Sequence, residues 1–145
     1  MTPLLALGAL LGLLALTAAL AVVVRKRPGR ARRIEHADSL EPQEFGVERL
    51  GPEGTVVQFS TAYCSRCPGT RRVLSELVAR YSGVDFVHVD VTDQPRLASK
   101  HNLLQTPTVL ILDGGGVPRS RFTGTIDRQT ITRELEQIAG GPHHD

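Results

Sequence analysis

Tryptophan is absent from these 145 residues, aromatic side chains make up 4%, and there are two cysteines. With so few rings, the core has to be aliphatic. Two cysteines are too few for the disulfide framework that staples small secreted domains. A formal charge of +2, with the basic residues gathered in one place, excludes the electrostatic footprint of a nucleic-acid partner. No flavin or nicotinamide fingerprint is present, so no bound cofactor is implied. No second CxxC and no spaced histidine pair is available to complete a metal site, so none is assigned. Gly114–Gly116 lies between strand-like runs and opens no helix, which makes it a turn and not a phosphate cradle. His36 falls in a polar stretch and His143 and His144 in the tail, while His88 reads as a satisfied or partly exposed strand residue.

Charge is also missing from Leu4 to Val24, where Leu, Ala, Val and Gly are relieved by one Thr. As a helix, this run of about 21 residues reaches about 30 Å, the thickness of a bilayer's hydrocarbon core. Arg25, Lys26, Arg27, Arg30, Arg32 and Arg33 follow it, and no charged side chain precedes it. A secretory signal has the opposite order and a shorter apolar stretch, so residues 1–24 are read as an uncleaved single-pass anchor over a removed signal. The positive-inside tendency places the following domain on the cytoplasmic face of the cell membrane, with the extracytoplasmic side as the alternative. Residues 25–48 read as a basic and polar linker, 49–141 as the domain and 142–145 as a tail. Phe45–Leu50 reads as either a short first strand or a packing segment at the domain's edge.

Both cysteines stand in one motif, Cys64-Ser-Arg-Cys67. Two cysteines dropped at random into a chain of this length would fall at that spacing roughly one or two times in a hundred, so the spacing points to chemistry. Thr55–Phe59 is a β-branched, apolar run that predicts a buried strand, and Val73, Leu74, Leu77, Val78 and Tyr81 recur at helical spacing, predicting a helix over Cys64–Tyr81. A cysteine at the start of a helix meets unpaired N–H groups and the positive end of the dipole, which favour thiolate over thiol. A second thiol two residues on is near enough to close a disulfide.

The rest of the domain reads in order. Val84–Val91 predicts an interior strand covered on both faces, and Asp93 caps a short helix that ends near His101 and Asn102. Pro107–Leu112, the turn Asp113–Gly116 and Val117–Phe122 form an antiparallel hairpin. Asp127 caps a last helix with Ile131, Leu135 and Ile138 on one stripe, stopped at Gly140-Gly-Pro142. The order βαβαββα implies an α/β fold with a mixed central sheet and helices on both faces.

Phe59-Ser-Thr-Ala-Tyr-Cys-Ser-Arg-Cys67, Val87-His-Val-Asp-Val-Thr-Asp93, the Thr106-Pro-Thr108 segment and Gly124 together resemble the thioredoxin family over roughly residues 50 to 140. The resemblance implies a thioredoxin-like fold with Cys64 as attacking thiol and Cys67 as resolving thiol. From the residues alone Pro107 opens an edge strand in trans; the resemblance implies a cis Thr106–Pro107 bond lying against the pair, with Thr106 offering backbone hydrogen bonds to an extended substrate. It further implies protein disulfides as substrates and a thioredoxin-reductase-type or low-molecular-weight thiol electron donor.

Three departures set this sequence apart from the family pattern. Ser65 and Arg66 replace Gly-Pro between the sulfurs, and the added positive charge should depress the thiolate pKa and make the pair more oxidising. Gln58 stands six residues before Cys64, where many members carry a buried acid, and an amide cannot take the resolving thiol's proton. Tyr63 replaces the tryptophan that often precedes the pair and still offers a substrate-docking surface. The sequence therefore predicts a membrane-tethered thiol–disulfide oxidoreductase that reduces or exchanges protein disulfides. The alternatives are a non-catalytic adaptor of the same fold or a thiol-based metal carrier at the membrane.

Overall fold

The structure is a computed structural model that describes residues 2–26, 32–35 and 37–140. His36, His143, His144, the 142–145 tail and part of the basic cluster lie outside the described residues. The chain opens with helix α1, Pro3–Lys26, whose first 22 residues are long and apolar enough to cross a membrane; a signal sequence would meet the same test. The remaining elements are β1 (Arg32–Arg33), a 3-10 turn (Pro42–Phe45), β2 (Gly54–Ser60), α2 (Cys67–Val78) and β3 (Val84–Asp90), then α3 (Pro95–Lys100), β4 (Thr108–Asp113), β5 (Pro118–Thr123) and α4 (Arg128–Ala139). From β2 onward the order is the βαβαββα of the sequence.

The sheet runs β1-β5-β4-β2-β3, with β2 and β3 parallel and the other pairs antiparallel. β2 is interior, between β4 and β3, and buried along its whole length, as its apolar run predicts. β3 is an edge strand, which corrects the expected interior placement. Its apolar pattern reports that its faces are covered, and covered faces do not require a second strand neighbour. One face of the sheet packs Val56, Val109, Ile111 and Phe122 against Leu74, Leu77 and Val78 of α2 and Ile131 and Leu135 of α4. The other packs Val57, Phe59, Val87, Val89, Leu110 and Leu112 beneath Phe45 and Leu97. Both clusters are aliphatic with a few Phe or Tyr rings.

Within the span read as a linker, Arg32 and Arg33 pair with Arg121 and Ser120, and Ile34 and Leu40 pack against the second cluster. Phe45 closes the 3-10 turn and is buried, so at 45–50 the packing segment forms and the short strand does not. Gly116, at φ 76°, permits the hairpin turn, and its carbonyl accepts the Leu40 N–H at 2.9 Å, which ties the incoming segment to the sheet. The residue ahead of the short helix α3 is Gln94, one later than the expected cap Asp93, and its side chain makes no capping bond; Pro95 stands in the first turn. Asp127 caps α4 as read, its carboxylate accepting the Thr130 N–H at 3.0 Å, and Gly140 closes that helix at φ 70°.

Candidate active site at the head of helix α2

Helix α2 begins at Cys67, three residues later than the sequence suggested. Two successive tight turns precede it: the Cys64 N–H donates to the Thr61 carbonyl at 3.2 Å, and the Cys67 N–H donates to the Cys64 carbonyl at 3.3 Å. Pro68, which has no N–H to leave unpaired, sits in the first helical turn. Cys64 therefore stands in the turn ahead of the helix, at its positive end, and Cys67 is the first helical residue. The two sulfurs are joined in a disulfide, with the Cα atoms 5.5 Å apart.

Their exposures differ. Cys64 is half-buried, whereas Cys67 is 4% exposed and turned into the domain. An incoming sulfur can reach the first, while the second is shielded from solvent.

The expected neighbours assemble around the pair. The Thr106–Pro107 bond is cis, and Pro107 is buried. The Thr106 and Thr61 hydroxyls meet at 3.3 Å, joining the proline loop to the segment three residues before Cys64. The Pro107 carbonyl accepts the Gly124 N–H at 3.1 Å, which brings in the loop ahead of α4. Arg66 reaches the same loop, its guanidinium 3.3 Å from the Thr125 hydroxyl, and Ser65 is exposed beside it. Tyr63 is 90% exposed and Leu104 89%, leaving large apolar side chains in water near the sulfurs and the proline loop.

Beneath the pair lies Gln58, fully buried on β2. Its Nε2 donates to the Cys67 carbonyl at 3.0 Å and to the Ser60 hydroxyl at 3.1 Å, so the amide anchors the Cys67 backbone. Sequence reasoning noticed the missing acid but not this second function of its replacement. His88, read from the sequence as a satisfied or partly exposed strand residue, is set beside Gln58 by the parallel β2–β3 register. A cavity of about 520 Å³ opens here, its lining including Cys64, Cys67, Pro68, Arg71, His88 and Asp90. Burial lowers the His88 pKa and Arg71 adds to this, with Asp90 opposing. Hydrogen bonds from the Thr92 hydroxyl and N–H hold the Asp90 carboxyl below its ordinary range. Among the described residues no cluster of three or more His, Cys, Asp or Glu is arranged to hold a metal ion.

The family model described as Thioredoxin matches residues 39–137. The chain belongs to the thioredoxin family. It is 26% identical over 101 residues to thioredoxin H5 of Oryza sativa, spanning 68% of this chain and 62% of that protein. It is 26% identical over 106 residues to the thioredoxin of Staphylococcus aureus, spanning 72% of this chain and 94% of that one. Among solved structures, thioredoxin O2 of Arabidopsis thaliana in its oxidized state superposes with a TM-score of 0.52 at 26% identity, covering 59% of this chain and 75% of the other. The chain spans 47% to 62% of the first three plant thioredoxins it matches. Against the thioredoxin pattern, the disulfide at the head of α2 and the cis proline are in place. Gln58, Tyr63, Ser65 and Arg66 are where this member departs from it.

Proposed function

We propose that this thioredoxin-family chain is a thiol–disulfide oxidoreductase held at a membrane by residues 4–24. The observation that carries the reading is the asymmetry of the pair, a reachable Cys64 ahead of α2 and an enclosed Cys67 behind it, joined in one disulfide. In the reducing direction the Cys64 thiolate attacks a disulfide of a protein substrate. One substrate sulfur leaves as thiolate, and a mixed disulfide forms on Cys64. Cys67 then attacks Cys64 Sγ, the second substrate sulfur leaves, and the domain ends oxidised with the substrate reduced. Tyr63, Thr106 and Pro107 form the surface on which an extended substrate lies, and Arg66 supplies positive charge near the nascent thiolate.

A thioredoxin-reductase-type protein or a low-molecular-weight thiol regenerates the dithiol, and the same steps in reverse oxidise or shuffle substrate disulfides. The basic residues after the apolar helix favour the cytoplasmic side for the domain. The test uses the full-length chain in detergent with a disulfide-containing protein substrate and an excess of dithiol. Turnover is expected for the native chain and should vanish in Cys64→Ser. Cys67→Ser should accumulate a mixed disulfide that mass spectrometry detects. A native chain that neither exchanges nor traps a substrate would leave the adaptor reading in its place.

A further inference from the structure

The resolving step needs a proton acceptor. Cys67 is buried, so its sulfur meets little bulk water, and the buried side chain bonded to its backbone is an amide whose donor is already engaged. Gln58 binds the Cys67 carbonyl and carries no group that takes a proton at neutral pH. Two titratable side chains besides the cysteines bring acceptor capacity to the shared cavity, His88 and Asp90, both on the face of β3 that looks toward α2. Asp90 is the weaker base: its Oδ1 accepts from the Thr92 hydroxyl at 2.5 Å and from the Thr92 N–H at 2.9 Å, which holds the carboxyl below its ordinary range, and the residue is solvent-exposed. His88 is half-buried, lies beside Gln58 in register, and makes no side-chain hydrogen bond among the described residues.

Resting on the oxidoreductase reading above, we infer that His88 is the proton acceptor for Cys67, taking over the task that a buried carboxylate at position 58 would perform. The imidazole removes the Cys67 thiol proton, directly or through one water in the cavity. The Cys67 thiolate attacks Cys64 Sγ, a Cys64–Cys67 bond forms, the bond from Cys64 to the substrate breaks, and its electron pair leaves with the substrate sulfur. The imidazolium then returns its proton to that leaving thiolate or to solvent, so atoms and electrons balance with the substrate disulfide as the oxidant.

The groups facing His88 fit this cycle. The half-burial of the ring, with Arg71 of α2 adding to it, lowers the imidazole's pKa and favours the neutral form, the one that accepts a proton. Asp90 on its own strand favours the imidazolium once formed, Arg72 and Ser75 line the same cavity from α2, and Gln58 on β2 adds no charge.

The test separates this inference from the reading beneath it by measuring Cys67 directly. In the full-length Cys64→Ser chain in detergent, Cys67 is the sole thiol, and its alkylation rate by iodoacetamide is followed against pH. The expected profile shows Cys67 reactivity coupled to a histidine titration. His88→Gln should remove that inflection and lower the rate at neutral pH. In the Cys64/Cys67 chain, His88→Gln should slow resolution of a preformed mixed disulfide at neutral pH by about 10²-fold, the usual size of a general-base effect. That deficit should close at alkaline pH, where hydroxide removes the proton. A fold defect would not close with pH. A second arm needs no substitution at the site: the His88 ring resonances of the native chain should titrate at a different pH in the dithiol and disulfide states. An unchanged alkylation profile in His88→Gln, or a loss that appears in Asp90→Asn instead, overturns the inference even if the native chain turns over. A native chain without turnover but with the coupled alkylation profile overturns the oxidoreductase reading and leaves the Cys67–His88 pairing standing.

Discussion

Replacing Gln58 by Asp probes how dry the floor of the site is. Gln58 is fully buried, and its Nε2 donates to the Cys67 carbonyl and the Ser60 hydroxyl. Aspartate removes one buried methylene, at about 1 kcal/mol, and breaks the side chain's hydrogen bonds to the Cys67 carbonyl and the Ser60 hydroxyl, together about 1–3 kcal/mol. Gln58→Asn shortens the side chain equally without adding an ionisable group. It should therefore cost about 2–4 kcal/mol at every pH. The aspartate adds a pH-dependent part. Burial raises the carboxyl pKa in the folded chain, while the unfolded chain ionises near pH 3.9. Between those two values the folded state holds a proton that the unfolded state has lost, so stability falls as pH rises, by about 1.4 kcal/mol per pH unit. Two pH units accumulate about 3 kcal/mol beyond the Asn variant. Urea unfolding of both variants at several pH values between about pH 5 and pH 7 measures this difference directly. Parallel stability curves for Asp and Asn would refute the reasoning, because they would mean that water reaches position 58 and the enclosure of the site is not as described.

Two further outcomes follow from side chains elsewhere in the domain. His101 packs its ring 5.0 Å from Phe59 and 5.8 Å from Phe45; burial holds its pKa below the ordinary value, although Glu44, 3.2 Å away, pulls it upward. The unfolded chain then binds a proton that the folded chain refuses, so stability should fall as pH drops from about 6.5. His101→Phe keeps a ring on the stack and should flatten that part of the urea-midpoint profile; an unchanged slope would count against the burial. Arg66→Gln removes the exposed charge between the cysteines and should raise the alkylation midpoint of Cys64 by less than about one pH unit, the effect of a water-screened charge. The same variant should be a weaker oxidant against glutathione, and a potential that does not move would remove Arg66 as a tuning residue.

Much of this molecule was legible before its fold was known. Thr55–Phe59 had to be a buried strand because Val56 on one face and Val57 and Phe59 on the other leave neither side fit for water, and α4 was marked at both ends by Asp127 and Gly140. Cys64, Cys67 and the Thr106-Pro-Thr108 segment were each visible as short motifs. Other features depended on contacts that a one-dimensional pattern does not carry. An apolar run reveals that the faces of β3 are covered but not that it has one strand neighbour. Helical periodicity after the cysteines hid the late start of α2, which is set by the two turns of the CxxC loop and by Pro68. The polar stretch 25–48 showed little apolar surface, yet Ile34, Leu40 and Phe45 are enough to seat parts of it on the sheet. His88 alternates with valines and looked ordinary. Its meaning appears only when the β2–β3 register puts it next to Gln58 and the cavity joins it to Cys67.

Two of the departures from the family pattern, Gln58 and Arg66, act on the pair from different depths, and that permits them to be separated. Gln58 is buried, so the absence of a negative charge there is felt through the protein interior and is little screened by salt. Arg66 is exposed, and Arg72 spends its charge largely on Glu76 at 3.0 Å along the same helix face, so the arginine field reaches the sulfurs through water. Both changes favour a thiolate over its neutral alternatives, and hence the reduced form. Raising the ionic strength should erase the contribution of Arg66 and leave that of Gln58. The native chain's potential should therefore shift toward the reducing end with added salt and converge on that of Arg66→Gln, while a gap between the two that survives high salt would place the arginine's influence inside the protein, contrary to its exposure.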